Sequence, residues 1–297
     1  MTSLEAAALR GSYVPVVTPF RGGEVDFEAF EEQVERQVTA GSDGIVVTGT
    51  TGEPTSVEEG ERIELFRRAL DAAAGRIPVV ASSGSPNQRE ALRLTAAATE
   101  LGVEGVLVVV PAFVRPSQEG MFRHFVTIAR STDLPVLIYN IPGRAAAGIE
   151  PATVERIVDA AENLVGLKSA LADLDPVTDL LGRLGDEFRL FCGVESLSYP
   201  FLALGGAGLM SAVGNLFPER VAALCQAVDA GRHAEALEIH RELFDVNRAI
   251  FFDTNPVPLK AMMEILGVGS AEVRPPLAAA DEELRSRLEA TMMAMAR

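Results

Sequence analysis

Lysine is rare in this chain, and one of its two copies lies where it can act as a nucleophile. The 26 lysine and arginine residues include only Lys168 and Lys260 as lysines, and Lys168 ends the apolar run "LVGLK". Unlike a guanidinium group, an amine can lose its proton when it is removed from water, and it can then attack a carbonyl carbon. Such an amine forms a Schiff base with a ketone. A buried lysine paired with an acid fits the same pattern, so both roles stay open.

The segment "TGTTGEP", residues 48–54, combines small residues with hydroxyl groups after another apolar run. Gly49 lets the backbone approach a ligand closely, and the backbone N–H groups can hold a small carboxylate. Thr50 and Thr51 add two hydroxyl groups. An ordinary turn is the alternative interpretation of the same residues.

The segment "YNIPGR", residues 139–144, follows a third apolar run. The phenol of Tyr139 can pass protons to and from a substrate, or it can be a core aromatic with its hydroxyl bonded to backbone. Arg144 can hold a carboxylate through two parallel hydrogen bonds, or it can simply be solvated.

Short apolar runs alternate along the chain with charged amphipathic segments, and this alternation predicts the fold. Strands that alternate with helices form parallel sheets, and continuously apolar strands are buried on both faces. Eight such strands predict an α/β protein with a closed (β/α)8 TIM barrel. An open doubly wound sheet is the main alternative, but "VVTPFRGG" after the first run lacks the G-x-G-x-x-G fingerprint. The eight runs are residues 13–17, 44–48, 77–81, 105–110, 135–140, 164–168, 188–192 and 207–212.

After the eighth run, the chain contains only helical patterns. We therefore predict a catalytic barrel over residues 1–230 and a C-terminal helical appendage over residues 231–297. Active sites of such barrels form at the carboxyl ends of the strands. The segments 48–54 and 139–144, together with Lys168, should therefore face one common opening.

Charge and hydropathy exclude several partner classes. The formal net charge is −16, and the chain has no run of basic residues, so nucleic acid and anionic membrane surfaces are poor partners. The N-terminus has no cationic start followed by an apolar core, and "VLVVVPAFV" is too short to span a bilayer. Cys192 and Cys225 form neither a C-x-x-C motif nor a disulfide framework. We predict a cytoplasmic protein in the reduced state.

The sequence motifs do not indicate a metal site or a cofactor site. His124, His233 and His240 lie in helical patterns without the spacing of metal ligands. The chain has no G-x-S-x-G elbow and no phosphate-binding G-x-x-x-x-G-K-[ST] loop. We predict no metal site and no organic cofactor.

Several motifs in order resemble the dihydrodipicolinate synthase/N-acetylneuraminate lyase family. This resemblance implies a (β/α)8 enzyme that forms a Schiff base with pyruvate or another 2-keto acid and uses a small aldehyde as its partner. It also implies a homo-oligomer, either a dimer or a homotetramer built as a dimer of dimers. The motifs are "VPVVTPF", "GTTGEPTSV", "RPSQEGMFRHF", "YNIPGR", "VGLKSA", "FCGVES" and "NPVPLKAMMEILG".

The resemblance assigns roles to matching residues. Lys168 would form the imine, and Tyr139 would shuttle protons to and from the imine carbon and the substrate oxygen. Thr50 would join the proton relay. Thr51, with Gly49 beside it in the motif, would bind the pyruvate carboxylate. Arg144 would bind the carboxylate of the aldehyde.

Two departures from the synthase pattern bear on the substrate. Phe113 stands where the synthase has a second tyrosine that completes the relay across a dimer, and Ser169 stands where it typically has glutamate. Both argue against condensation with aspartate semialdehyde. "LFCGVESL", "AIFFDTNPVPLK" and "EVRPPL" are similar to a 2,4-dihydroxyhept-2-ene-1,7-dioate aldolase branch, which is one alternative. The other alternative is a 2-keto-acid-binding protein without catalysis.

Overall fold

A closed barrel of parallel strands organises the part of the chain that the structure, a computed structural model, describes: residues 9–295. Strands β1–β10 and helices α1–α13 are numbered in chain order. Eight of the strands within that range form the barrel, each beside the next, and the last pairs with the first. They are β1 (Gly11–Pro15), β4 (Gly44–Val47), β5 (Val79–Ser82), β6 (Gly105–Val109), β7 (Val136–Asn140), β8 (Leu164–Ser169), β9 (Arg189–Cys192) and β10 (Gly208–Leu209).

Helices connect the strands on the outside of the barrel and continue after the last strand. The connecting helices are α1 (Phe27–Thr39), α2 (Glu59–Ala73), α3 (Gln88–Leu101), α4 (Gln118–Ala129), α5 (Pro142–Ala145), α6 (Pro151–Ala160), α7 (Asp175–Leu184) and α8 (Ser198–Ala203). Those after β10 are α9 (Pro218–Asp229), α10 (His233–Glu242), α11 (Phe244–Ala249), α12 (Val257–Ile265) and α13 (Glu282–Met295).

Local sequence signals explain several helix boundaries. The Asp26 carboxylate accepts a hydrogen bond from the Ala29 amide at 3.1 Å and caps α1. Helix α3 ends at Leu101 and is capped by Gly102, whose φ of +81° lies in the left-handed region that glycine adopts without steric cost.

The barrel interior is a packed core rather than a pore. Side chains of alternate residues on the strands point inward and pack on one another, and the intervening residues pack against the helices. This inner cluster consists of Leu9, Tyr13, Val46, Val80, Leu107, Leu137, Tyr139, Phe191 and Met210. Tyr139 belongs to it and lies at the end where the carboxyl termini of the strands meet, which we call the mouth.

The predicted (β/α)8 barrel with a helical C-terminus is confirmed, and the doubly wound alternative is wrong. Each of the eight apolar runs overlaps a barrel strand. The sequence did not predict the small hairpin of β2 (Phe20–Arg21) and β3 (Glu24–Val25). Its strands are too short for a periodic pattern, and Gly22–Gly23 between them supplies the turn.

The structure leaves two expectations untested. Helix α9 ends at Asp229 and α10 begins at His233, and the division at residue 230 stays a prediction. The predicted lack of a signal peptide rests partly on residues 1–8, which lie outside the described range. Within residues 9–295, no helix has both the length and the apolar character needed to cross a membrane.

Candidate active site

A cavity at the mouth of the barrel collects most of the residues singled out in the sequence. It lies between loops that follow six of the strands, and residues after α11 complete its wall. Its lining is Pro15, Thr50, Thr51, Tyr139, Ile141, Arg144, Lys168, Gly193, Glu195, Met210, Ala212, Phe251 and Asn255. A larger groove of about 630 Å³ adjoins it and shares Thr50, Ile141, Arg144 and Asn255.

Lys168 lies near the end of β8 and is 6% exposed. Its register partner on β7 is Tyr139, and its Nζ atom lies 4.4 Å from the centroid of the Tyr139 ring. On the other side lies Gly193, which has no side chain and so leaves room for the lysine. A methyl group added at Gly193 would lie 2.7 Å from Cε of Lys168. The lysine stem therefore passes between an aromatic ring and a bare backbone, which fixes the direction of the amine.

The Tyr139 hydroxyl is bonded to a side chain rather than to backbone. Thr50 Oγ1 donates to it at 3.3 Å, and Tyr139 is 4% exposed. The Thr50 hydroxyl, the Tyr139 hydroxyl and the amine of Lys168 thus all line the same cavity. Groups in such an arrangement can pass protons to and from a bound molecule.

A short 3₁₀-helix, Thr50–Gly52, follows β4 and carries the two threonines. Thr48 before it and Glu53 after it both have φ of +53°, a left-handed conformation that non-glycine residues adopt only at a cost of about 1 to 3 kcal/mol each. Asn255 Nδ2 donates to Thr51 Oγ1 at 3.1 Å and helps to hold the turn. Contacts from distant parts of the chain must therefore offset this strain.

The second lysine supplies one of those contacts. Lys260 is fully buried, and its Nζ atom lies 2.5 Å from Glu53 Oε1 and 2.8 Å from the carbonyl oxygen of Glu272. The other Glu53 oxygen accepts from the Arg274 amide at 3.2 Å. Burial lowers the pKa of Lys260, and the adjacent Glu53 carboxylate opposes that change. The ion pair ties the C-terminal helical region to the threonine turn.

Arg144 lies at the boundary between the cavity and the groove, in α5 directly after β7. Its Nη2 atom donates to the Asn255 carbonyl at 3.0 Å and to Thr254 Oγ1 at 3.3 Å. The planar guanidinium is therefore oriented by the segment before α12, while it still lines the cavity.

Two of the predicted residues lie outside the lining of the Lys168 cavity. Phe113 lines only the groove; it is 94% exposed and has φ of +67°. Gly49 precedes the threonine turn with φ of −68° and ψ of −174°, extended backbone that any residue can adopt. The structure brings together Lys168, Tyr139, Thr50, Thr51 and Arg144.

Sequence reasoning gave no role to Glu53, Glu195, Asn255 or Lys260. The acid in "TGTTGEP" and the polar residues of "NPVPLK" are visible in the sequence. Their pairing is not visible, because more than 200 residues separate the partners. Within residues 9–295, no group of three or more His, Cys, Asp and Glu side chains could hold a metal ion.

We predict that Lys260→Met destabilises the protein by about 3 to 5 kcal/mol, because the variant leaves the buried Glu53 carboxylate without its partner. Urea unfolding measures the change. Arg76→Met is the matched control, since it breaks an ion pair with Glu35 that lies on the surface. Equal midpoints for the two variants would contradict the structural role of the buried pair.

We predict that Gly193→Ala impairs the reactivity of Lys168 more than it impairs folding. The added methyl group would lie 2.7 Å from Cε of the flexible Lys168 side chain and 3.2 Å from the carbonyl oxygen of Ser169, so we expect the lysine to move most and the barrel backbone to adjust by a few tenths of an ångström. Borohydride trapping of a 2-keto acid on Lys168 should slow by at least about tenfold, with a small change in melting temperature. Gly182→Ala, which meets no atom within 4 Å, is the control. Unchanged trapping would show that Gly193 does not direct the amine.

Comparison with known proteins identifies the family of this chain. The model of the dihydrodipicolinate synthetase family matches residues 8–295. A 4-hydroxy-tetrahydrodipicolinate synthase of Thermus thermophilus is 45% identical over 280 residues, which cover 94% of this chain and 94% of that protein. The solved structure of the 4-hydroxy-tetrahydrodipicolinate synthase from Methylacidiphilum fumariolicum SolV is 40% identical and superimposes with a TM-score of 0.95, covering 97% of this chain and 96% of that one.

The structure of a third relative was solved with a bound ligand, pyruvate. The dihydrodipicolinate synthase of Acinetobacter baumannii, complexed with pyruvate, is 29% identical with a TM-score of 0.94, covering 97% of this chain and 99% of that one. The predicted family and the predicted enzyme class, a lyase, are confirmed by these matches. The barrel, the family match and these relatives show that the chain belongs to the dihydrodipicolinate synthetase family.

Proposed function

We propose that this enzyme forms a Schiff base between Lys168 and pyruvate, and that the resulting enamine adds to a small aldehyde or is released from one by retro-aldol cleavage. The main observation that supports this proposal is the buried amine of Lys168, which lies against the Tyr139 ring at the mouth of the barrel. The pyruvate complex of the Acinetobacter baumannii relative supports pyruvate as the 2-keto acid.

The neighbours of Lys168 suit the steps of this reaction. The amine attacks the ketone carbon, water leaves, and the imine then acts as an electron sink that stabilises a carbanion at the methyl carbon. Tyr139, hydrogen-bonded to Thr50, takes up and returns protons at that carbon and at the aldehyde oxygen. Thr51, fixed by Asn255, holds the carboxylate of pyruvate.

The aldehyde enters from the groove. Arg144 faces both the groove and the Lys168 cavity, and its guanidinium suits a carboxylate on the second substrate. The names of the Thermus and Methylacidiphilum relatives support synthesis of 4-hydroxy-tetrahydrodipicolinate, with aspartate semialdehyde as the aldehyde. Phe113 and Ser169 favour the second candidate, the 2,4-dihydroxyhept-2-ene-1,7-dioate aldolase reaction.

The proposal includes a homo-oligomer in the cytoplasm, either a dimer or a homotetramer built as a dimer of dimers. Phe113 and Val114 are 94% and 65% exposed beside the groove. Exposed apolar side chains at the edge of an active site are typical of a surface covered by a second subunit. No metal or organic cofactor takes part in the proposed reaction.

We predict that borohydride reduction in the presence of pyruvate attaches a pyruvate-derived group to Lys168. Peptide mapping by mass spectrometry locates the adduct. Lys260 is an internal control, because its amine is buried in an ion pair and should stay unmodified. Lys168→Arg should form no adduct, since a guanidinium keeps its proton.

An adduct on Lys260 alone, or none with any 2-keto acid, would contradict the mechanism. Tight pyruvate binding without imine formation or turnover would identify the protein as a binding protein.

We predict that Phe113→Tyr raises the rate with aspartate semialdehyde and leaves the half-saturating pyruvate concentration unchanged. The new phenol restores a proton-relay group beside the groove, away from Lys168. Steady-state kinetics with both substrates measure the two effects. Phe244→Tyr, at another exposed phenylalanine, is the control. An unchanged semialdehyde rate would show that Phe113 does not limit synthase activity.

A further inference from the structure

Asn255 carries a polar atom that the proposed function leaves without a role. The residue lies two positions before α12, lines both the Lys168 cavity and the groove, and is 8% exposed. Its Oδ1 atom is buried and has no hydrogen-bond partner within residues 9–295. A buried polar atom without a partner is costly, so such an atom beside a substrate cavity points to a contact with the ligand.

Other atoms of Asn255 are already bonded to two residues of the proposed site. Nδ2 donates to Thr51 Oγ1 at 3.1 Å, and the backbone carbonyl accepts from Arg144 Nη2 at 3.0 Å. Asn255 therefore joins the residue proposed for the carboxylate of pyruvate to the residue proposed for the carboxylate of the aldehyde. Of its side chain, Oδ1 is left for a ligand.

The proposed contact with pyruvate determines which end of the amide faces Thr51. A carboxylate can only accept hydrogen bonds, so the single hydroxyl proton of Thr51 is directed to pyruvate. Thr51 Oγ1 must then accept from Asn255, which requires Nδ2 on that side, as the structure has it. Oδ1 faces away from Thr51 and is a pure acceptor, so its partner has to be a donor.

The groove through which the aldehyde enters is acidic. Lys260 neutralises Glu53, and the remaining glutamates of the lining still outnumber its arginines. An aldehyde whose only charged group is a carboxylate approaches against this charge, whereas one that also carries an ammonium group is neutral overall. The charged residues of the lining are Glu53, Glu58, Glu59, Glu90, Arg62 and Arg144.

We propose that Asn255 determines specificity for the aldehyde: Oδ1 accepts a hydrogen bond from an ammonium group on the carbon that bears the carboxylate held by Arg144. The two groups of such a 2-amino acid share one carbon atom, and Arg144 and Asn255 are themselves hydrogen-bonded, so one ligand reaches both residues.

This inference rests on the proposed function and selects between its two candidate reactions. Aspartate semialdehyde has an ammonium group at this position. Succinate semialdehyde, which the 2,4-dihydroxyhept-2-ene-1,7-dioate aldolase reaction releases together with pyruvate, has only hydrogen there. The contact of Asn255 therefore favours aspartate semialdehyde.

These two aldehydes have the same chain length and test the proposal in the wild-type protein. Consumption of saturating pyruvate gives kcat/KM for each aldehyde. We expect a preference of at least about tenfold for aspartate semialdehyde, because succinate semialdehyde leaves Oδ1 buried and unpaired. A smaller preference, or a preference for succinate semialdehyde, would overturn the proposal.

Two variants of Asn255 change the contact in opposite directions. Asn255→Ala removes the acceptor, so the preference should fall by at least about fivefold. Asn255→Asp supplies a charged acceptor of nearly the same size, so the preference should rise by at least about fivefold. Both variants lose the donor to Thr51, but this loss affects the two aldehydes equally and cancels in the ratio. Circular dichroism checks folding, and Asn255→Asp decides if the alanine variant does not fold.

Thr51→Val and Thr254→Val are the matched controls. The first removes the partner of Nδ2, and the second removes a contact of Arg144 Nη2, at 3.3 Å, that does not involve Asn255. Each should lower the rate with both aldehydes and leave the preference within about twofold of the wild-type value.

The outcomes separate this inference from the proposed function. Absence of a pyruvate adduct on Lys168 in the wild-type protein would overturn the imine itself. An adduct and turnover, together with an unchanged preference in both Asn255 variants, would overturn only the role of Asn255. A preference that falls as much in Thr254→Val as in Asn255→Ala would assign the selection to the placement of Arg144 instead.

Discussion

In the proposed reaction, Lys168 has to be removed from water to become a nucleophile, yet it must stay within reach of a dissolved substrate. A closed parallel barrel meets both demands at the mouth. Its interior is filled with side chains, and the carboxyl ends of all its strands open onto one face. The amine lies at the top of that core, where Tyr139 and Gly193 confine its stem. Most other features of the site serve to place groups around this one atom.

The two lysines show how environment separates two uses of one residue type. Lys260 has the partner that a structural lysine needs, the Glu53 carboxylate, and it stabilises the threonine turn. Lys168 takes part in no ion pair within residues 9–295 and packs against an aromatic ring instead. The buried ion pair that the sequence left open for Lys168 is thus formed by Lys260, and the proposed nucleophile is the lysine without such a partner. The structural pair also links the C-terminal helices to the site.

Much of this arrangement could be predicted from the sequence because the signals are local. Each barrel strand is a continuous apolar run, and its position in the chain orders it in the barrel, so Lys168, Tyr139 and the threonines had to converge. Asn255 and Lys260 could not be placed in this way. Their partners are fixed by packing between segments far apart in the chain, as in the Asn255–Thr51 contact. The exposure of Phe113 on the groove likewise depends on the left-handed backbone of its loop.

A crystal structure of the protein soaked with pyruvate tests the central claim most directly. The account predicts continuous electron density from Nζ of Lys168 to C2 of pyruvate, with the carboxylate of pyruvate against Thr51. Pyruvate bound without a bond to Lys168, or bound outside this cavity, would contradict it.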